Sequence, residues 1–384
     1  MQKTWLFSFN FFLYAGMAMV LPYMVLFYQD LGFSGAQIGL LSGITPLITM
    51  LFAPFWTGLA DTTGRHRLIL SLILAGAAIS ILAFSTFSTF AAILFLAILY
   101  YGFIAPANAF ADSATMYMLG DGKEKYGQVR VGGTIGFGIS AWLAGSLVQS
   151  YGLKIAFYGC ALLVLLGLVV SQKMIHDPSR PTLQSKGNFR ALLVNPRWLL
   201  FLALAFAGGV SIAGNNTFLF PYLKELGAPE SQMGLAMTIG TLTEIPILFF
   251  GHHLLRRLKP YGLLILAMLV TGVRLLMFAA ANTPQHILIM QLLGGLTFPA
   301  MWVAGVAYVD EIAPPGLSAT AQGMFGAMVF GFGAAVGGFI GGPLLETTGG
   351  SGIYLTFGII VMAVLALAVL GQRLLPGKPA PATE

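Results

Sequence analysis

Twelve stretches of this chain are apolar for long enough to cross a membrane as a helix, which takes about 20 residues. They fall near residues 5–28, 38–60, 68–86, 90–118, 131–149, 155–172, 197–220, 233–250, 263–281, 285–308, 320–343 and 353–371. No alternation of strand length recurs, so a barrel is excluded and each span is predicted to be a helix that satisfies its own backbone. Charge agrees. Only 8% of the residues are charged, against roughly 25% in soluble domains, too few to cover a surface in water. The first run, from Trp5 to Tyr28, is too long for a signal peptide and is expected to stay as the first helix. The fold class expected is an all-α membrane protein.

With both termini cytoplasmic, 15 of the 19 Lys and Arg fall on the inner side and only Lys154 and Lys224 on the outer. The net charge of +6 is then a match for anionic lipid heads and implies no nucleic-acid partner. The longest polar stretch, 173–196, divides the spans six and six. It predicts an N-terminal bundle over 1–172, a cytoplasmic linker over 173–196, and a C-terminal bundle with a short tail over 197–384. Cys160 is single, so no internal disulfide is possible, and the five His lack ligand spacing. No metal or other cofactor is expected.

The two groups of six are related. LGFSGAQIGL at 31–40 and LGAPESQMGL at 226–235 share five positions, and an acid, Asp30 or Glu225, precedes each. LYYGFIAPA at 99–107 faces LLGGLTFPA at 292–300, and GFG at 136–138 faces GFG at 331–333. Three blocks in order at nearly one offset make an internal duplication, and the decapeptide begins the second helix of each half. Ser34 and Gln37 have the spacing of a capping box, and Pro229 with Glu230 suits a first turn. Two like halves are a transporter pattern, with the solute held between repeats near the midplane.

The loop GLADTTGRHR at 58–67 resembles the signature of the major facilitator superfamily, with Gly58, Asp61, Gly64, Arg65 and Arg67 in the expected places. The resemblance implies twelve helices and a latch of charges and helix ends at the cytoplasmic face. Thr62 stands where a basic residue often follows the Asp, and the matching loop GHHLLRRLKPYG at 251–262 has no Asp.

Four charges lie inside spans: Asp112, Arg130, Glu244 and Arg274. Each costs roughly 2.5–3.5 kcal/mol if it stands alone at the bilayer centre, so pairing or a wet cavity is expected. The stretch from Pro106 to Gly138 resembles the lactose-permease-like sugar:proton symporters and, more closely, the phenylpropionate-transporter-like proteins. Asp112 precedes Arg130 by eighteen residues, and Tyr126, Gly127 and Arg130 fill an aromatic-Gly-x-x-Arg pattern. The resemblance makes Asp112 and Arg130 a solute-binding pair, with Phe137 where the sugar permeases place a stacking Trp. Glu244 and Arg274 also match the phenylpropionate-type pattern. The ionisable groups that sugar permeases carry elsewhere fall on Thr241, Gly294 and Thr297, none of which exchanges a proton. Glu244 is then the first candidate for the proton and Asp112 the second, while Arg130 and Arg274 are candidates to receive an anionic group. Asn10, Tyr14, Asn108, Asn215 and Asn216 are polar residues on spans one, four and seven that serve either the site or helix packing.

Gly333, Gly337 and Gly341, with Gly338 and Gly342 beside them, and Gly132 and Gly136 make small-residue stripes. By the resemblance they lie where the two halves meet. Gly32-Phe33-Ser34-Gly35 matches the Gly-x-Ser-Gly of rhomboid proteases, but Ser34 caps a helix and no intramembrane His is there to act as base, so no enzyme is expected. The function expected is proton-coupled symport by alternating access. The solute is a small organic molecule: an aromatic or other carboxylate, a sugar or a nucleoside. The transporter is expected to work as a monomer in a bacterial cytoplasmic membrane. A proton-driven exporter of drugs or metabolites is the alternative, and a transport-dead sensor is more remote.

Overall fold

The computed structural model describes residues 2–120, 126–175, 192, 194–314 and 317–374, which form helices, turns and loops without a strand. Ten helical segments among the described residues are long and apolar enough to cross a membrane. The first seven are α1 (Lys3–Asp30), α2 (Gly35–Thr63), α3 (His66–Ala83), α4 (Phe90–Leu119), α5 (Tyr126–Tyr151), α6 (Lys154–Ser171) and α7 (Pro196–Thr217). A short helix, Leu219–Glu225, leads to α8 (Glu230–Ala279), followed by α9 (Pro284–Ile312) and α10 (Ser318–Leu374).

Two of these are longer than the apolar runs predict. The stretch 251–262, expected as a loop, is helical in α8 except at Lys259 (φ 59°). Pro260 follows, with no N–H to carry the helix on. In α10 the same happens at Gly349 (φ 66°). Most of the predicted linker, 176–191, and the tail from 375 lie outside the described residues. Where the chain resumes, Asn195 caps α7 by accepting from Arg197 N at 3.0 Å.

The duplicated decapeptide starts a helix each time. α2 opens with a reciprocal capping box: Gln37 N donates to Ser34 Oγ (3.4 Å) and Ser34 N to Gln37 Oε1 (3.0 Å). α8 opens behind Pro229 with Glu230 in its first turn. The repeated glycines Gly39 and Gly234 have a further use. A Cβ on Gly39 would come within 2.9 Å of Phe339 O in α10, and one on Gly234 would overlap Ala141 O in α5. Each copy therefore brings its helix into backbone contact with a helix from the other half of the chain.

Polar contacts follow the same crossings. Thr238 Oγ1 donates to Gly138 O (2.9 Å), Ser231 N to Gln149 Oε1 (3.3 Å) and Gly35 N to Glu346 Oε2 (2.5 Å). Lys224 Nζ pairs with Asp30 Oδ1 at 3.3 Å. All but the Thr238–Gly138 bond, which lies two turns further along α8, are where α2 and α8 begin and α5 ends. Down the same helices α2 still meets α10 at Met50 and Gly331. Beyond that, a Cβ on Gly58, Gly127, Gly323 or Gly326 would touch nothing within 4 Å. The helices are pressed together at one end and open at the other.

The glycine stripes divide differently from the expectation. Gly132 and Gly136 pack on the backbone of Phe7 and Phe11 in α1, inside one half. Gly333 and Gly337 pack on α7, and Gly341 on Phe218. Their neighbours Gly338 and Gly342, about 100° further round the helix, are the ones that reach Ser42, Gly39 and Gly35 of α2.

Candidate functional site

α4 is interrupted. It is helical to Ile104, turns at Ala105 and Pro106, and resumes at Ala107. Proline has no N–H to continue the ladder, so the break sets the direction in which Asn108 and Asp112 leave the backbone. Three helices meet through Tyr14 of α1, Asp112 of α4, and Tyr126 and Arg130 of α5, and Asn10 and Asn108 stand one turn before Tyr14 and Asp112 on their own helices. Tyr126 OH donates to Asp112 Oδ1 at 2.8 Å. Arg130 Nη2 donates to Tyr14 OH, and its guanidinium lies 4.5 Å from the centroid of the Tyr14 ring. Gly133 makes room for that ring, since a Cβ there would stand 2.8 Å from it.

The Asp112–Arg130 pair that the resemblance implies is not a direct contact in this structure. Each group bonds a tyrosine instead, and no ion pair joins the two among the described residues. The phenols act as neutral spacers between opposite charges. Arg130, half-buried, has committed one of its five N–H donors to a side chain. Asn10 Nδ2 donates to Leu6 O (3.0 Å), but Asn10 Oδ1 and Asn108 Oδ1 are buried acceptors without a donor. Phe137 is half-buried two turns along α5, packed at the edge of the core.

The second cluster sits at the counterpart of the α4 break. Within α9 the residues Gln291–Leu296 wind as a 3₁₀ helix, and Thr297 leaves helical geometry altogether (φ −96°, ψ −105°). Gly295 lets this segment press on α8, because a Cβ there would overlap Thr243 O. Arg274, 7% exposed, spans the break. Its Nε donates to Met290 O (3.2 Å), Nη1 to Thr297 Oγ1 (3.5 Å), and Nη2 to Asn215 Oδ1 (3.3 Å) and Gln291 Oε1. The Phe278 ring lies 4.8 Å below the guanidinium. Glu244, half-buried in α8, forms no ion pair with it.

Arg274, a candidate to receive an anion bidentately, has few donors to spare in this structure. Four of its five N–H groups are engaged and almost none of it is exposed. Of the asparagine pair, Asn215 touches Arg274, while Asn216 is exposed and joins the cluster through Asn215 Nδ2 (3.2 Å). Gln291 completes the cluster, and a glutamine inside the apolar run 285–308 is its signal in the sequence.

At the open end, the signature loop folds as a tight turn. Gly64 (φ 66°) caps α2 in the left-handed region that glycine takes without penalty. The partner of Asp61 is His66, whose Nε2–H donates to Asp61 Oδ1 at 2.9 Å; neither Arg65 nor Arg67 fills that place. Arg67 Nε donates to Gln172 Oε1 (3.0 Å), whose Nε2 donates to Ser71 Oγ (2.8 Å), tying α3 to the end of α6. A partly exposed pair such as Asp61–His66 contributes about 0.2–1 kcal/mol. Asp61→Asn is therefore expected to change the transport rate by up to about fivefold and leave KM in place. Initial rates in vesicles test this, and a change confined to KM would contradict it.

Comparison with known proteins sets these clusters in a family. The "Uncharacterized transporter YwbF" of Bacillus subtilis (strain 168) is 28% identical over 368 residues, 94% of this chain and 91% of its own length. The maltose permease of Geobacillus stearothermophilus is 25% identical over 375 residues, 97% of this chain and 95% of its own length. The crystal structure of the nucleoside transporter NupG superposes with a TM-score of 0.85 at 18% identity, covering 96% of this chain and 98% of that one, which makes the fold theirs in common. Residues 3–370 match the MFS_1 like family, and the chain accordingly belongs to that family of major facilitator superfamily transporters, as a multi-pass integral membrane protein.

Proposed function

We propose that this transporter is a proton-coupled symporter of a small organic solute, working by alternating access and drawn here with its cytoplasmic side open. The observation that carries the reading is the asymmetry between the two ends of the same helices. Gly35, Gly39, Gly234 and Gly342 are in backbone contact across the halves, while Gly58, Gly127, Gly323 and Gly326 have open space beside them. Twelve spans follow if α8 is divided at Lys259 and α10 at Gly349. They form bundles over 1–172 and 197–384 about the linker 173–196, with both termini in the cytoplasm of a bacterium and the monomer as the working unit.

The first cluster is the solute site: Asn10, Tyr14, Asn108, Asp112, Arg130 and Phe137, with Asn216 across the path. Its unfilled bonds favour one class of solute. Asp112 keeps acceptor sites beyond its bond from Tyr126 and Arg130 offers donors, so a molecule with several hydroxyls suits it better than a plain carboxylate. A sugar or a nucleoside has that chemistry, as do the solutes for which the maltose permease and NupG are named. Glu244 is the proton carrier, near enough to feel Arg274 and free of a fixed ion pair; the proton gradient is the driving force and no metal is needed.

The test uses purified protein in vesicles. Glu244→Gln is expected to abolish accumulation against a gradient while solute exchange at equal concentrations continues. If the variant accumulates solute as the parent does, Glu244 does not couple transport to protons.

A further inference from the structure

A buried arginine ordinarily meets a carboxylate, because an uncompensated charge away from water is costly. Arg274 does not. Its acceptors are the Met290 carbonyl, the Thr297 hydroxyl and the side-chain amides of Asn215 and Gln291, all of them neutral. Gln291 is the most enclosed of the two amides, at 1% exposure. Its orientation is forced, since turning the amide round would aim Nε2 at the guanidinium. In that orientation Nε2 has no acceptor at all. The fold thus tolerates an unsatisfied donor in order to place a neutral oxygen against Arg274.

Glutamate is nearly the same size as glutamine and would satisfy the guanidinium better. What glutamine preserves is the charge. With neutral acceptors fixing its position, Arg274 remains a net positive group able to act on a partner that changes state. The nearest candidate is Glu244. Gly240, one turn before it in α8, lies against the Gln291 amide, with a Cβ position 3.2 Å from Oε1. The orphaned Nε2–H groups therefore lie one helical turn from Glu244.

We infer that Gln291 is a positioning residue for transport: it fixes Arg274 across the break in α9 without neutralising it, so that the charge stays available to Glu244. The inference deepens the coupling reading given above and rests on it for the identity of the partner. It does not need the solute to touch Gln291.

Two variants test it in vesicles and in a thermal melt. Gln291→Glu supplies a permanent ion partner, so the melting temperature is expected to hold or rise while gradient-driven uptake falls about tenfold or more. Gln291→Leu removes the acceptor, so the melting temperature is expected to fall. Uptake by Gln291→Glu at the parent rate would overturn the proposal, and so would a Gln291→Leu protein as stable as the parent. Glu244→Gln measured alongside separates the two readings. If it accumulates solute normally, the partner assignment fails; the Gln291→Glu result still decides whether the free charge matters.

Discussion

Gly342→Ala is expected to unseal the closed end of the molecule. The added Cβ would overlap Gly35 O and the N and Cα of Gly39. These are backbone atoms of α2, and they have no rotamer to escape into. Forcing one methyl into such a contact costs about 1–3 kcal/mol. In a protein with a second conformation available, that cost is spent on the conformational equilibrium, as a shift of roughly 5- to 150-fold. A cysteine at Ser42, which packs on Gly338 in the same seam, reports it: alkylation should speed up by that factor. The chain's own Cys160 is fully buried and gives little background. Gly337→Ala is the control. Its Cβ would meet Ala213 and Val210 of α7 within the same half, so it should lower the melting temperature and leave the labelling rate alone. Equal labelling in the parent and the Gly342→Ala protein would show that α2 and α10 do not form the seal.

The contrast between Gly337 and Gly342 also marks where sequence reading stops. The apolar runs place the helices, because lipid demands some 20 apolar residues per crossing, and the duplication tells that Gly39 and Gly234 do the same work. Neither tells how each helix is turned about its own axis. One residue is about 100° of rotation, which is the difference between Gly337 on α7 and Gly338 on α2. The same blindness explains the polar sites. Asp112, Arg130 and Arg274 stand out as charges in oil, yet their contacts are with Tyr126, Tyr14, Gln291 and Asn215. Neutral partners carry no signal in a search for compensating charge. His66 is hidden for a related reason. It reads as a loop residue until α3 is seen to begin with it and turn it back onto Asp61.

Arg130→Ala is expected to weaken solute binding by about 30-fold or more while leaving the protein folded, and Arg274→Ala to unfold more easily while keeping its solute contacts. The two arginines look alike in the sequence and differ in what surrounds them. Arg130 is half-buried with most of its donors uncommitted, so its free energy is held for a ligand. Losing a hydrogen-bonded charge from such a contact costs roughly 2–5 kcal/mol of binding, about 30-fold in affinity at the least. Its removal frees the half-buried Tyr14 hydroxyl and the face of the same ring, and the melting temperature without solute should move less than in Arg274→Ala. Arg130→Lys should fall between, since a lysine keeps the charge but not the planar fork. Arg274 has spent its donors on the protein. Taking it away strands the Met290 carbonyl, the Gln291 and Asn215 amides and the Thr297 hydroxyl at the break in α9, at about 1–3 kcal/mol for each group left buried and unsatisfied. The readout is one melting curve per variant with and without a panel of sugars, nucleosides and aromatic acids. Solute-induced stabilisation that survives Arg130→Ala unchanged would remove Arg130 from the site. An Arg274→Ala protein that melts with the parent would show that the α9 break holds without its pin.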